Sequence, residues 1–309
     1  MSSHRQNRPL LDSSVRCPFC PGSGRVPDDF DIYAYPNDFP SLELEPGRPD
    51  VTGDDLIPVR PAYGHCEVTL YSPRHDITLP ELPLDHITKL VEHWAQRYEE
   101  LGAIEGIDYV FIFENRGEEV GVTMHHPHGQ IYAYSFMPLK VQVELASASE
   151  HYAAHGRCLF CDLIARERDD GRRVVYDSDG FVAFVPPFAE FPYQVYVLPT
   201  DHTGSLPRMS GERKRGLAKA LKCVTGAYDA LFGVPFPYMM CMHQDPTDGA
   251  EYPYNHFHIE FYPPMRARDK LKFNASSETG AWATINDTSP EDKAAELRPL
   301  VREQLASLQ

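Results

Sequence analysis

Positive charge is scarce in this chain. Of its 309 residues, 29 are Lys or Arg and 45 are Asp or Glu, which gives a formal net charge of −16. That deficit excludes a broad polyanion-binding face, so no nucleic acid partner is expected; a few arginines still suffice to hold one small phosphate ligand. Long apolar runs are also missing. No stretch approaches the roughly 20 residues that a helix needs to span a bilayer, so no membrane partner is expected. The segment Met1 to Leu11 is polar, carries His4, Arg5 and Arg8, and lacks the apolar stretch of a secretory leader. A cytoplasmic location is the expectation that follows. Disorder is excluded as well, because hydrophobic residues make up 42% and charged residues 24%. What the chain has in quantity is proline, 28 residues of it, which predicts many loops and edge strands. The length suits one large domain or two ordinary ones.

The seven cysteines are few but patterned. Four form two C-x-x-C pairs, Cys17-Pro-Phe-Cys20 and Cys158-Leu-Phe-Cys161. In a reducing compartment such pairs bind metal or do redox chemistry more often than they form structural disulfides. A thioredoxin-like pair would open a helix after a βα unit, whereas Cys17 lies in a loop rich in Pro and Gly, which favours zinc. Cys66, Cys223 and Cys241 sit in apolar surroundings and are expected to be core residues.

The two pairs open a hidden repeat. After the first comes Ser72-Pro73-Arg74-His75 with Leu79-Pro80 beyond it; after the second comes Leu198-Pro199-Thr200-Asp201-His202 with Leu206-Pro207. Each histidine precedes a helix. The first is predicted from Asp85 to Leu101, with Ile87, Leu90, Val91, Trp94 and Tyr98 on one face; the second from Gly211 to Phe232, with Leu217, Leu221, Val224, Tyr228 and Leu231 on one face. Strands are predicted next, at Tyr109 to Phe113 and Tyr238 to Met242. Each half then reaches a histidine pair, His126-x-His128 and His256-x-His258. Landmarks in the same order at similar offsets indicate a duplicated module of about 130 residues. We divide the chain into halves 1–145 and 146–309.

Donor types set the metal expectation. Cys17, Cys20, His75 and His126 would make a closed tetrahedral zinc site, and Cys158, Cys161, His202 and His256 a second. Assigning His126 to the metal leaves His128 free for chemistry. The segment Gly129 to Phe136 reads as a strand, with Pro127 suited to a strand end. Glu144, His243, His258 and Glu260 offer a competing set of oxygen and nitrogen donors that would suit a harder ion such as iron.

The stretch Phe113-Glu114-Asn115-Arg116-Gly117 through His125-His126-Pro127-His128-Gly129-Gln130 resembles the galactose-1-phosphate uridylyltransferase family of the histidine triad superfamily. The likeness extends to Ser3-His4-Arg5-Gln6-Asn7-Arg8-Pro9, Asn37-Asp38-Phe39-Pro40, Tyr71-Ser72-Pro73-Arg74-His75, Phe261-Tyr262-Pro263-Pro264 and Lys272-Phe273. It implies an α+β fold in which a histidine-triad-like module is duplicated, mainly antiparallel sheet with helices packed on it. It also implies a two-step exchange. UDP-glucose gives its uridylyl group to a histidine and glucose 1-phosphate leaves; galactose 1-phosphate then takes the group. By position in the motif His128 would be the nucleophile, since a neutral imidazole attacks phosphorus without a base. Hydrolases of the superfamily carry a third histidine where this chain has Gln130. An amide holds a phosphoryl oxygen without moving a proton, which favours transfer over hydrolysis. The resemblance further assigns Arg5, Arg8, Asn37, Asp38, Asn115 and Thr123 to the nucleotide, and Lys272 and Glu278 to the sugar phosphate, reaching a partner's site in a homodimer.

The sequence departs from the family pattern in three places. A strand expected before the arginine segment is missing, Ser277 stands where the family uses a tyrosine, and the second C-x-x-C pair is shared with relatives that act on other nucleotide sugars. A nucleotide-sugar phosphorylase of the ADP-sugar type, using the same histidine with inorganic phosphate, is therefore the alternative. The presence of His128 and Gln130 weighs against a non-catalytic, zinc-stabilised nucleotide sensor.

Overall fold

Alternation of apolar and polar side chains decides which way each strand faces. The computed structural model describes residues 17–308 of the chain. Nine strands form one sheet: β1 (Tyr33–Pro36), β2 (Gly64–Leu70), β3 (Tyr109–Arg116), β4 (His128–Tyr134), β5 (Val174–Ser178), β6 (Phe181–Phe184), β7 (Val195–Pro199), β8 (Tyr238–His243) and β9 (His258–Tyr262). The helices are α1 (Leu84–Gly102), α2 (Leu139–His155), α3 (Leu159–Asp170), α4 (Gly211–Phe232), α5 (Ser276–Ala281) and α6 (Pro290–Ala306). A two-stranded ribbon, β10 (Met265–Ala267) with β11 (Lys270–Leu271), completes the order.

The strand order is β1-β2-β4-β3-β8-β9-β7-β6-β5, and every neighbouring pair is antiparallel. The duplication is visible in that order. β3 and β8 lie side by side at the centre, with Phe113 opposite Cys241, and each is flanked outward by the strand that starts on its half's second paired histidine. β4 and β9 are thus equivalents, as are the central strands. The fold is α+β and mainly antiparallel, as expected.

The two faces of the sheet differ in chemistry. Val110 and Ile112 of β3, Ile131 and Ala133 of β4, Met240 and Met242 of β8, and Ile259 and Phe261 of β9 all enter one apolar core with α1, α4 and α6. Period two then sends Phe113 and Asn115, His128 and Gln130, Cys241 and His243, and His258 and Glu260 to the other face. Helix α1 is held by Ile87, Leu90, Val91, Trp94 and Tyr98, all buried at the spacing the sequence shows. Helix α4 runs over the residues predicted for it. Its N-terminus is capped by the Ser210 hydroxyl, which accepts from the Arg213 amide at 3.2 Å, and Gly233 ends it at a φ of 65°. Among the described residues no helix is long and apolar enough to cross a membrane.

Some element limits differ from expectation. β3 runs on from Phe113 to Arg116 because β8 pairs with that end, Asn115 opposite Met239 and Arg116 opposite Tyr238. β4 starts at His128, held there opposite Leu70, and stops at Tyr134. Cys66 and Cys223 are core residues; Cys241 is only half-buried, on the polar face.

Carboxylates interrupt the apolar face at Glu67, which pairs with Arg97 of α1, and at Glu114. Glu114 of β3 is buried there, accepting from the Tyr238 hydroxyl at 3.0 Å, with the Arg116–Asp229 pair beside it. Burial raises its pKa to about 7, against an ordinary 4.5, despite the nearby Arg116. The neutral acid is the form that folding favours, so stability is lost as pH rises through 7. Glu114→Gln should therefore be more stable than wild type at pH 8, by on the order of 2–3 kcal/mol, and the gain should vanish at pH 4.5. Denaturant unfolding at both pH values measures this; an equal difference at the two would refute a neutral Glu114.

Candidate active site and metal centres

Cys17 and Cys20 occupy a tight turn in which the Cys20 amide donates to the Cys17 carbonyl at 3.1 Å. That turn brings both sulfurs to Nδ1 of His126, at 3.9 and 3.7 Å. Nε2 of His126 donates to the Ser72 carbonyl at 2.7 Å, so Nδ1 carries the lone pair that faces the thiols. Burial lowers the His126 pKa to about 4, which keeps the ring neutral. His75 completes the set: its Nδ1 is buried with no hydrogen-bond partner, and all four donor atoms lie within 4.8 Å of one another. A tetrahedral zinc ion would place its sulfur and nitrogen ligands about 3.6 Å apart, close to what these side chains adopt. Burial and the neighbouring Cys17 push the Cys20 thiol up to about 11, so without a cation the pair resists full ionisation. Donor chemistry, spacing and an orphaned imidazole nitrogen all fit a metal.

The second half repeats this arrangement. Cys158 Sγ lies 3.7 Å from His256 Nδ1, and Cys161 Sγ lies 3.7 Å from His202 Nδ1 and 3.5 Å from His256 Nδ1. His256 Nε2 donates to the Pro199 carbonyl at 3.1 Å, as His126 does to Ser72. Cys161 donates to Cys158, which lowers the pKa of Cys158 and raises that of Cys161. Unlike the first pair, this one does open a helix, with Cys158 at the N-cap of α3. Both sets fit a closed metal site.

His128 stands at the start of β4 on the polar face. Its Nδ1 lies 2.7 Å from the backbone carbonyl of His126. A carbonyl only accepts, so Nδ1 holds the proton and Nε2 presents a lone pair. Burial lowers the His128 pKa, which favours the neutral ring. Phe19, between the first two cysteines, covers the imidazole edge-on at 5.4 Å. Gln130, one pleat along, accepts from Asn37 Nδ2 at 3.3 Å and the Tyr132 hydroxyl at 3.4 Å. β3 and β4 pair with Phe113 opposite Gln130, so Asn115 falls on the face that carries His128. Thr123 lies half-buried in the loop that leads into β4. Asp38 pairs with Arg25, whose guanidinium lies over the rings of Phe19 and Tyr35 at 5.8 and 5.9 Å. Lys272 and Glu278 pair with each other at 3.0 Å in the C-terminal segment, rather than with the His128 group. Arg5 and Arg8 lie outside the described residues.

A third set of donors, Glu144, His243, His258 and Glu260, also lies within 4.8 Å. His243 Nδ1 contacts Glu144 at 2.6 Å and its Nε2 lies 3.4 Å from Glu260. Burial opposes charge on His243, but Glu260 and Glu144 outweigh it and raise the pKa.

Known proteins with this sequence pattern share the whole architecture. The sequence model for the galactose-1-phosphate uridyl transferase N-terminal domain matches residues 3–138, and that for the C-terminal domain matches residues 144–304. The chain belongs to the galactose-1-phosphate uridyl transferase family. The family's galactose-1-phosphate uridylyltransferase of Thermotoga maritima is 42% identical over 301 residues, covering 96% of this chain and 93% of its own. That of Haemophilus influenzae is 33% identical over 303 residues, covering 96% and 85%. A solved uridylyltransferase structure superposes with a TM-score of 0.89 at 34% identity, covering 97% of this chain and 95% of its own. An ADP-glucose phosphorylase from Arabidopsis thaliana, at 23% identity and a TM-score of 0.76, shares the fold.

For this family member, sequence reasoning overlooked Phe19, Arg25, Tyr35 and Lys140. One signal was available: a phenylalanine occupies the same place in both C-x-x-C pairs, and Phe160 packs against His258 at 4.5 Å where Phe19 meets His128 edge-on at 5.4 Å. It also overlooked why glycine follows the nucleophile candidate. A Cβ at Gly129 would meet the buried Tyr71 hydroxyl at 2.3 Å and the Phe113 carbonyl at 3.0 Å. Gly129→Ala should therefore displace the start of β4 and lower turnover by about tenfold or more, with Tyr71→Phe in the same chain restoring part of it. Steady-state rates of the three variants check this. Loss of rate that the second substitution leaves untouched would place the fault elsewhere.

Proposed function

We propose that this chain is a UDP-glucose:hexose-1-phosphate uridylyltransferase with galactose 1-phosphate as acceptor, acting in galactose metabolism in the cytoplasm. One observation carries the reading: the hydrogen bond from His128 Nδ1 to the His126 carbonyl leaves Nε2 as a bare nucleophile beside Gln130. In the first step Nε2 attacks the α-phosphorus of UDP-glucose. A P–N bond forms, the P–O bond to glucose 1-phosphate breaks, and that group leaves with the electron pair. The ring gains positive charge, which strengthens its bond to the His126 carbonyl, and no proton has to move. Galactose 1-phosphate reverses these bonds in the second step. Gln130 holds the phosphoryl group without activating water.

The remaining roles rest on motif position. Arg5, Arg8, Asn115 and Thr123 bind phosphate, Asn37 and Asp38 the nucleoside, and Lys272 and Glu278 the sugar phosphate, in a homodimer whose partner shares the site. Residues 1–145 and 146–309 are the two copies of the module. The two Cys2His2 sets would each hold zinc, which in closed four-ligand sites holds structure and leaves no position for water.

After incubation with UDP-glucose alone, intact-mass analysis should show a uridylyl adduct on wild type and none on His128→Ala, whose transfer rate should fall by roughly four orders of magnitude or more. An adduct that survives the substitution would move the nucleophile elsewhere. The same assay, run beside ADP-glucose with inorganic phosphate, separates transferase from phosphorylase. Gln130→His should raise release of UMP relative to UDP-galactose by about an order of magnitude, because an imidazole assists water where an amide does not. An unchanged ratio would remove Gln130 from that role.

A further inference from the structure

The third donor set occupies, in the second half, the place that His128 and Gln130 take in the first. β9 begins on His258 as β4 begins on His128. Nδ1 of each lies on the carbonyl two residues earlier, at 2.9 Å for His258 and 2.7 Å for His128. The surroundings then diverge. Where the first half has the amide of Gln130, the second has Glu260, a carboxylate with no exposure to solvent. Glu144 approaches from α2, so two carboxylates and two imidazoles converge on one point. Buried carboxylates need a compensating cation. A divalent ion would supply it, and these donors would suit one.

A cation is already there. Lys140, one turn before Glu144 on α2, places Nζ 2.7 Å from Glu260 Oε2 and 3.9 Å from Glu144 Oε1, and over the Tyr262 ring at 4.7 Å. Its ammonium also contacts the Tyr262 hydroxyl, which in turn contacts Glu260. We propose that Lys140 is the resident cation of this cluster and keeps metal ions out of a donor set that would otherwise bind one. An ion held between His243 Nε2 and Glu260 Oε2 at about 2.1 Å would stand against the ammonium on that same oxygen, at a separation where two cations repel strongly. His258 Nε2, equivalent to the attacking atom of His128, faces Glu260 Oε1 at 3.6 Å in a buried site. The Lys140–Glu260 pair further ties α2, which links the two halves, to β9.

The test compares metal content among full-length variants, so the occupancy of the two Cys2His2 sites cancels and the zinc assignment is judged separately. Wild type, Lys140→Met, His243→Ala and the double variant are exposed to zinc or ferrous iron, freed of excess, and analysed for metal per chain. His243→Ala should match wild type. Lys140→Met should hold about one additional ion, lost again in the double variant. Without added metal, Lys140→Met should melt lower by on the order of 10 °C, and a divalent ion should restore it. Lys140→Arg keeps the charge and should match wild type in content. If Lys140→Met fails to fold, Lys140→Gln replaces it. Loss of one ion on His243→Ala alone, or a folded Lys140 variant with no added ion, would overturn the proposal.

Discussion

The contact on which the site depends is the double use of His126. Its Nε2–H is fixed on the Ser72 carbonyl, so its Nδ1 lone pair is committed to the two cysteine sulfurs. Its own backbone carbonyl is committed to Nδ1 of His128. One residue thus joins the N-terminal loop, the end of β2 and the start of β4, and sets the tautomer of the His128 ring. Each link is directional. A rotation of His126 that relieved any one of them would misplace the other two. The first Cys2His2 set is therefore more than a brace, because the chain that leads out of it is the hydrogen-bond acceptor for His128, the proposed nucleophile.

Duplication explains both the architecture and its asymmetry. Joining two modules through β3 and β8 buries one face of a continuous sheet under helices of both halves, so neither half owns the core. The opposite face then carries two equivalent histidine sites. The first keeps an amide partner, Gln130, which accepts from Asn37. The second has exchanged the amide for a carboxylate and recruited Lys140 to neutralise it. A shared frame thus carries two unlike sites, one built round an amide and one round a carboxylate paired with lysine.

Much of this was legible in the sequence because the repeat announces itself through residues of distinctive chemistry. Two C-x-x-C pairs, two lone histidines and two H-x-H pairs locate the Cys2His2 sets without any tertiary information, and helical periodicity locates α1 and α4. What was not legible depends on distant partners. Glu114 lies one residue beyond the strand predicted at Tyr109 to Phe113, yet period two places it in the core, where the Tyr238 hydroxyl from the other half donates to it. Lys140 carries no signal of its own in the sequence, because its partner Glu260 reaches it only through β9. Cys241 reads as core because its neighbours are methionines, but it falls on the polar face with Phe113 opposite. Arg25 and Asp38 lie on separate loops, and only the turn of the chain around β1 pairs them.

The tautomer of His128 is the most exposed link between the geometry and the proposed chemistry. Nitrogen-15 NMR of histidine-labelled protein at pH 7, with the signal assigned through His128→Ala, reads it directly. A protonated Nδ1 and a bare Nε2 on a neutral ring are expected, with that preference lost when Cys17→Ser opens the first donor set. A proton on Nε2, or a fully protonated ring at that pH, would contradict the arrangement on which attack at phosphorus depends.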